Sequence, residues 1–374
     1  MSINTRAEYE NALAALGICV SARIPALLWG NPGEGKTAVV ESAANQGWLV
    51  ETVIITHSEP SDFAGLPVVT PDGSVNLAPP GWARRLADHD GPSIAFFDEF
   101  STASPSLQAA ALRPLTHYEV GSLQLPETVS FVAAANPADV AAAGWELAAP
   151  TASRFVHIDW AMPGEVYVDG LVTDRWPALP VHAVPSDYPK FLAQEFALVS
   201  GFLRARESLL SSIPKDAGAR GRAFPTPRTW DYAARLAAFA KAVDASDEVR
   251  QILISGCIGL AAAHEYLRWV AANDLVDPEK LLLDPDSVDF TDWRADRVFV
   301  ALQAVLGSVS RQPDVDRWTA AIEICANAAA QVGVDPAVPV VRALMRPDLR
   351  PDGAMVPPQI SVFAPTLALA GILK

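Results

Sequence analysis

The sequence predicts an α/β protein: a parallel five-stranded sheet with helices on both faces, followed by an all-helical region. Three observations carry this. Five short β-rich runs alternate with helical stretches in the first half of the 374 residues, the pattern of a parallel sheet. The first run, residues 24–29, breaks into Gly30-Asn31-Pro32-Gly33-Glu34-Gly35-Lys36-Thr37, and a helical pattern resumes at Ala38. From about Pro189 onward the strand signal disappears and helical periodicity takes over. The expected division is an α/β domain over residues 1–175 and a helical region over residues 176–374.

Taken in order, residues 8–16 read as a helix with Ala12, Leu13 and Leu16 on one face. Gly17 closes it, and Ile18-Cys19-Val20 links it to the first strand. After the glycine loop a helix covers 37–45 and ends near Gly47. The β-rich run 48–56 is a sheet strand, and 68–77 a short hairpin turning at Asp72-Gly73. Residues 81–89 are helical. Residues 93–97 form a buried strand ending in Asp98-Glu99, and 105–115 are helical again. A second hairpin over 118–125 turns at Gly121, and strands follow at 128–134 and 154–158. Helical periodicity marks 191–211, 229–243, 247–270, 293–309 and 318–332.

The glycine loop fits G-x-x-x-x-G-K-[ST] and sits between a strand and a helix, the order that a phosphate cradle requires. Gly30, Gly33 and Gly35 let successive backbone N–H groups converge on phosphate oxygens, and Pro32 stiffens the loop. Asn31 and Glu34 complete it. Lys36 would reach the terminal phosphates of ATP, and the Thr37 hydroxyl would ligate Mg²⁺. Asp98 at the tip of a buried strand can hold the same Mg²⁺, and its neighbour Glu99 can polarise an attacking water. Asn136 ends the next strand, where its amide can hold that water beside Glu99.

Composition narrows the alternatives. The formal charge of −15, from 43 acidic against 28 basic residues, repels a phosphate backbone and argues against nucleic acid as a partner. No apolar run of about 18 residues offers a membrane span, and the N-terminal stretch lacks the basic region and apolar core of a signal peptide. Cys19, Cys257 and Cys325 lack metal-type spacing, as do the histidines, so the expectation is reduced thiols and a cytoplasmic protein. His264-Glu265 has no second histidine at zinc-protease spacing.

GNPGEGKT, IAFFDEF, FVAAANP, SRF and FPTPR, in this order, resemble an AAA+ ATPase, and more narrowly the MoxR-like ATPases of the helix-2-insert group. The run 62–67 with its hairpin resembles the helix-2 insert, and 107–126 the approach to the presensor hairpin. The resemblance covers roughly residues 10–240 and treats the rest as a helical lid region. It implies a Walker A loop at 30–37, with Walker B carboxylates at Asp98 and Glu99 and a sensor 1 residue at Asn136. Arg154 matches the arginine finger that acts on a neighbouring subunit. Arg228, opening a lid helix, matches the sensor 2 arginine at the nucleotide. The acidic residue that usually precedes the finger is missing here, and Arg113 competes for that role. The family implies a homohexameric ring remodelling a protein partner, often one with a von Willebrand A-like domain. A nucleotide-dependent switch or scaffold with negligible turnover is the alternative, and a nucleic-acid helicase or loader is disfavoured by charge.

Overall fold

The computed structural model describes residues 3–137, 140, 144–272 and 276–365. The end of the expected helical region, 366–374, lies outside them. The chain forms two compact units, Met1–Ser186 with Leu209–His264, and Asp187–Ser208 with Glu265–Lys374.

The strands are β1 (Ala26–Trp29), β2 (Leu49–Ile54), β3 (Leu66–Val69), β4 (Val75–Ala78), β5 (Ser93–Asp98), β6 (Glu119–Val120), β7 (Leu123–Gln124), β8 (Val129–Ala135) and β9 (Val156–Asp159). Five of them make one sheet in the order β2-β5-β8-β1-β9, and every pairing is parallel. All seven residues of β8 are buried, as are Ile94 to Phe97 of β5, because helices cover both faces. This is why these strands read as continuous apolar runs rather than alternating ones. The chains leaving β1, β5 and β8 emerge side by side at one edge of the sheet, where α/β folds place their ligands.

The two hairpins lie off the sheet. β3 pairs antiparallel with β4, and β6 with β7, as the turn residues predict. They touch each other through glycine. A Cβ on Gly65 would stand 2.8 Å from Gly121 Cα, and one on Gly121 would stand 2.6 Å from Leu77 O. Ser122 stitches the contact, its N–H and hydroxyl both donating to Leu77 O at 2.9 Å.

Two expectations need correction. The first helix is Arg6–Ser21, running through Gly17 to include Ile18-Cys19-Val20. Thr5 and Glu8 form a capping box at its start. Gly17 serves close packing, since a Cβ there would lie 1.9 Å from Pro180 O. The segment 247–270 is two helices, Asp247–Ile258 and Leu260–Ala271, separated by Gly259 at φ +80°. A Cβ on Gly259 would come within 2.8 Å of Ala223 O, so this residue both breaks the helix and admits a neighbouring chain.

The second unit is helical, with Tyr188–Ala205, Ala295–Arg311 and Val315–Val332 as its long helices. Trp318 is fully buried and donates from Nε1 to Leu344 O at 2.8 Å, while Val298, Leu302 and Ile322 share its core. Among the described residues no helix is long and apolar enough to cross a membrane.

Gly17→Ala distinguishes packing from helix propensity. Propensity alone favours alanine by ~1 kcal/mol. With the carbonyl of Pro180 in the way, the expected result is a loss of ~1–3 kcal/mol in urea unfolding.

Candidate functional site

β1 carries the chain into residues 30–37. Gly33 (φ +81°) and Gly35 (φ +74°) hold left-handed backbone that a Cβ would strain. The loop rests on the chain leaving β9. Trp160 Nε1 donates to Glu34 O at 2.9 Å, and Met162 N donates to Glu34 Oε2 at 2.5 Å. The Glu34 side chain therefore fixes the loop's shape.

Lys36 is only 7% exposed, and its ammonium donates to Gly30 O (2.7 Å), Asn31 O (2.8 Å) and Asn136 Oδ1 (3.0 Å). Burial pushes its pKa down, and the Asp98 and Glu34 carboxylates oppose that shift. Thr37 Oγ1 donates to Asp98 Oδ2 at 2.7 Å, while Asp98 Oδ1 accepts from Glu99 N at 2.8 Å. Glu99 is left-handed at φ +58°, an uncommon state for a residue with a side chain. Its carboxylate accepts from the Thr56 hydroxyl just beyond β2, and its carbonyl accepts from Thr102 Oγ1 at 2.8 Å. Asn136 N donates to Ser101 Oγ at 3.1 Å.

The ends of β1, β5 and β8 thus bring Lys36, Thr37, Asp98, Glu99 and Asn136 together. The Thr37 hydroxyl and Asp98 carboxylate fit a magnesium ion that takes most of its oxygens from phosphate and water. Among the described residues no cluster of three or more His, Cys, Asp or Glu side chains offers an all-protein metal cage. Thr56 was not singled out from sequence. The parallel register Ile54↔Asp98 is the signal that places it beside Glu99.

Arg154 and Arg228 lie elsewhere. Val156 pairs with Ala26 in parallel, so Arg154 stands at the N-terminal edge of the sheet and the phosphate loop at the opposite edge. At about 3.3 Å per residue they are separated by roughly 20 Å along the strands. Arg154 donates to Thr116 Oγ1 (2.7 Å) and Pro150 O (2.6 Å). Burial lowers its pKa, the positive charge of Arg228 adds to the shift, and Tyr232 opposes it. Tyr232 in turn senses Tyr118, at the end of helix Pro105–His117, and Tyr118 senses Arg23 and Glu127. The last two flank the starts of β1 and β8. Arg228, expected at its own nucleotide, lies within electrostatic range of Arg154. The reason is local: Thr226 caps helix Pro227–Ala242, and Phe224 just before it is buried in the core that holds Phe155. Arg113 pairs with Glu119 at 2.6 Å, whereas Arg154 has no carboxylate partner among the described residues.

Below the loop, β1 and β9 are clamped by a buried histidine. Trp29 Nε1 donates to His157 Nδ1 at 2.9 Å, so His157 Nε2 carries the proton and donates to Ala152 O at 3.0 Å. Burial is the main cause that pushes the imidazole down to about 4, with Arg222 adding and the Ala152 hydrogen bond and Asp159 opposing. The guanidinium of Arg222 lies 4.0 Å from the Trp29 ring centre and pairs with Asp159 at 3.2 Å.

Residues 25–155 match the model of the AAA domain, dynein-related subfamily. With the parallel sheet and helical C-terminal region, this is the α/β P-loop AAA+ fold, and the chain is a nucleotide-binding ATPase of that class. A solved structure of a candidate ATPase from Cytophaga hutchinsonii ATCC 33406 is similar at 17% identity, covering 71% of this chain and 90% of that one. Its TM-score of 0.42 is too low to bear on function. No curated protein matches the chain.

The histidine clamp has a pH signature. The folded pKa of about 4 lies below the unfolded value of about 6.5, so the unfolded chain takes up the proton first as pH falls. The contribution is whole above pH ~6.5 and is lost on descent toward pH ~4, amounting to about 3 kcal/mol at most. His157→Gln, compared with the parent by urea unfolding at several pH values, should lose less stability than the parent across that window.

Proposed function

We propose that the chain hydrolyses ATP as a MoxR-like, ring-forming motor in the cytoplasm and couples turnover to remodelling of a partner protein. The observation that supports it is the separation of the phosphate loop from Arg154 and Arg228, at opposite edges of one strand pair. A subunit built this way holds the nucleotide at one edge and offers arginine at the other. A second copy, docked edge to edge, would complete the site. In the transition state, charge spreads over the γ-phosphoryl oxygens, and a guanidinium brought in by the neighbour stabilises it, an effect of ~10³–10⁵ in rate. Arg154, lacking a carboxylate, suits that role better than the paired Arg113, and Arg228 would act beside it. In this reading the α/β domain over 1–175 binds the nucleotide, and the helical lid and C-terminal region over 176–374 answers to it.

Within the phosphate site, Lys36 would exchange its carbonyl and Asn136 partners for phosphate oxygens. A magnesium ion held by Thr37 and Asp98 would neutralise the phosphates. Asn136, released from Lys36, would orient a water that Glu99 deprotonates. The family resemblance supports a protein partner, including one with a von Willebrand A-like domain, and the exposed Leu66, Val68, Val69 and Val75 of the β3–β4 hairpin suit contact with it. One observation favours the switch or scaffold alternative: Thr56 already occupies a Glu99 oxygen, which would slow turnover until the bond is broken.

The roles separate by experiment. Lys36→Ala should lose ATP affinity in a binding titration, whereas Glu99→Gln should bind ATP and stop turnover. Unchanged hydrolysis by the Glu99 variant would remove it as the base. Mixing Lys36→Ala with Arg154→Ala subunits should restore part of the ATPase rate, since some interfaces then pair an intact loop with an intact finger. No recovery at any ratio would end the assignment of Arg154 in trans.

A further inference from the structure

The phosphate loop carries a carboxylate of its own, and a negative charge is out of place in a cradle for polyanions. Glu34 stands between Gly33 and Gly35, the two left-handed glycines, and two residues before Lys36. Backbone flanked by glycine has the most freedom to lose on ordering, so this stretch needs a tether. Among the described residues, both hydrogen bonds between the loop and the chain leaving β9 are made at Glu34. Its carbonyl accepts from Trp160 Nε1 at 2.9 Å, and its carboxylate accepts from Met162 N at 2.5 Å. The post to which it is tied is firmly set. Trp160 is buried, donates its backbone N–H to Trp29 O at 2.6 Å and meets the Tyr9 ring edge-on at 5.0 Å. A Cβ on Gly30 would lie 2.3 Å from Trp160 O, and one on Gly35 3.2 Å from Met162 Cε, so the loop rests on this post near both of its ends.

We propose that Glu34 is a positioning residue that gives up nucleotide affinity for a loop of fixed shape: its carboxylate latches the loop to Met162, and its charge speeds the release of product diphosphate. This rests on the reading of residues 30–37 as the ATP site. An ionised acceptor makes a shorter and stronger hydrogen bond than a neutral one. It therefore holds residue 34, and with it the N–H groups of Gly33 and Gly35, in place when no phosphate is bound. The same charge stays close to whatever enters. Residues two apart along a chain have Cα atoms no more than about 7 Å apart, so the carboxylate is near any phosphate that Lys36 reaches. A bound diphosphate is thus held less tightly than the loop amides and Lys36 alone would hold it. ATP is weakened equally, which an excess of ATP offsets by mass action. An amide at this position could keep the bond to Met162, but only the carboxylate adds the repulsion.

The test uses the full chain, with ADP affinity and release and the single-turnover rate of ATP hydrolysis as readouts. Glu34→Gln, which keeps an acceptor for Met162 without the charge, should bind ADP ~5-fold or more tightly and release it correspondingly slowly. That gain should shrink as salt is raised, since screening weakens the repulsion that the parent retains. Its single-turnover rate should stay near the parent's. Glu34→Ala removes acceptor and charge together, and its single-turnover rate should fall ~10-fold or more as the loop loses its set position. A merely structural glutamate would change stability in both variants and leave the salt dependence of ADP affinity untouched. Unchanged or weaker ADP binding by Glu34→Gln, or a gain that salt does not diminish, overturns the proposal, as does a parent-like single-turnover rate in Glu34→Ala. Should Glu34→Ala fail to fold, the ADP affinity of Glu34→Gln decides by itself. Failure of the underlying ATP site looks different, since Lys36→Ala would then bind ATP as the parent does.

Discussion

A buried ammonium is the constraint on which the phosphate end of this molecule depends. Lys36 is withdrawn from water, and an unpaired charge in that position would be costly. Its three acceptors come from the start of the loop and from the end of β8, so satisfying the lysine also fixes the loop against the neighbouring strand. Thr37 does the same for β5 through Asp98, and Asp98 in turn holds the backbone of Glu99. Glu34 adds the fourth tie, to the chain leaving β9. Four chain segments are held in register by polar contacts made by the loop itself.

Much of this was legible in the sequence because parallel strands leave a strong trace. Burial on both faces turns β5 and β8 into apolar runs, and the glycine loop, Asp98-Glu99 and Asn136 each follow directly from one. What could not be read were contacts between residues far apart in the chain. Gly17 looks like a helix stop in isolation, and only Pro180 reveals it as a packing contact. Gly259 breaks a helix whose periodicity continues on both sides, because Ala223 needs the space. Thr56 is an ordinary strand-end residue until the register puts it beside Glu99. Arg228 matched a motif that fixes its place on a helix, but not which edge of the sheet that helix begins on.

The arginines follow the polarity of the sheet. In a parallel sheet every strand has its start at one edge and its end at the other, so a residue just before β9 and a loop just after β1 face opposite ways. At Arg154, burial and the charge of Arg228 both disfavour the cation, and the Tyr232 phenol opposes them. Arg222, six positions from Arg228, is carried to the opposite edge by the loop that leads into helix Pro227–Ala242. Neighbours in sequence are thereby assigned to different ends of the same sheet.

The glycine contact between the two hairpins has a mechanical meaning. Gly65 and Gly121 meet with no space for a methyl group, and Ser122 is tied to Leu77 by two hydrogen bonds. Such a joint transmits compression at once, since there is no side chain between the backbones to bend or rotate. A push on the tip of the β3–β4 ribbon is therefore passed, at its base, straight to the turn of β6–β7.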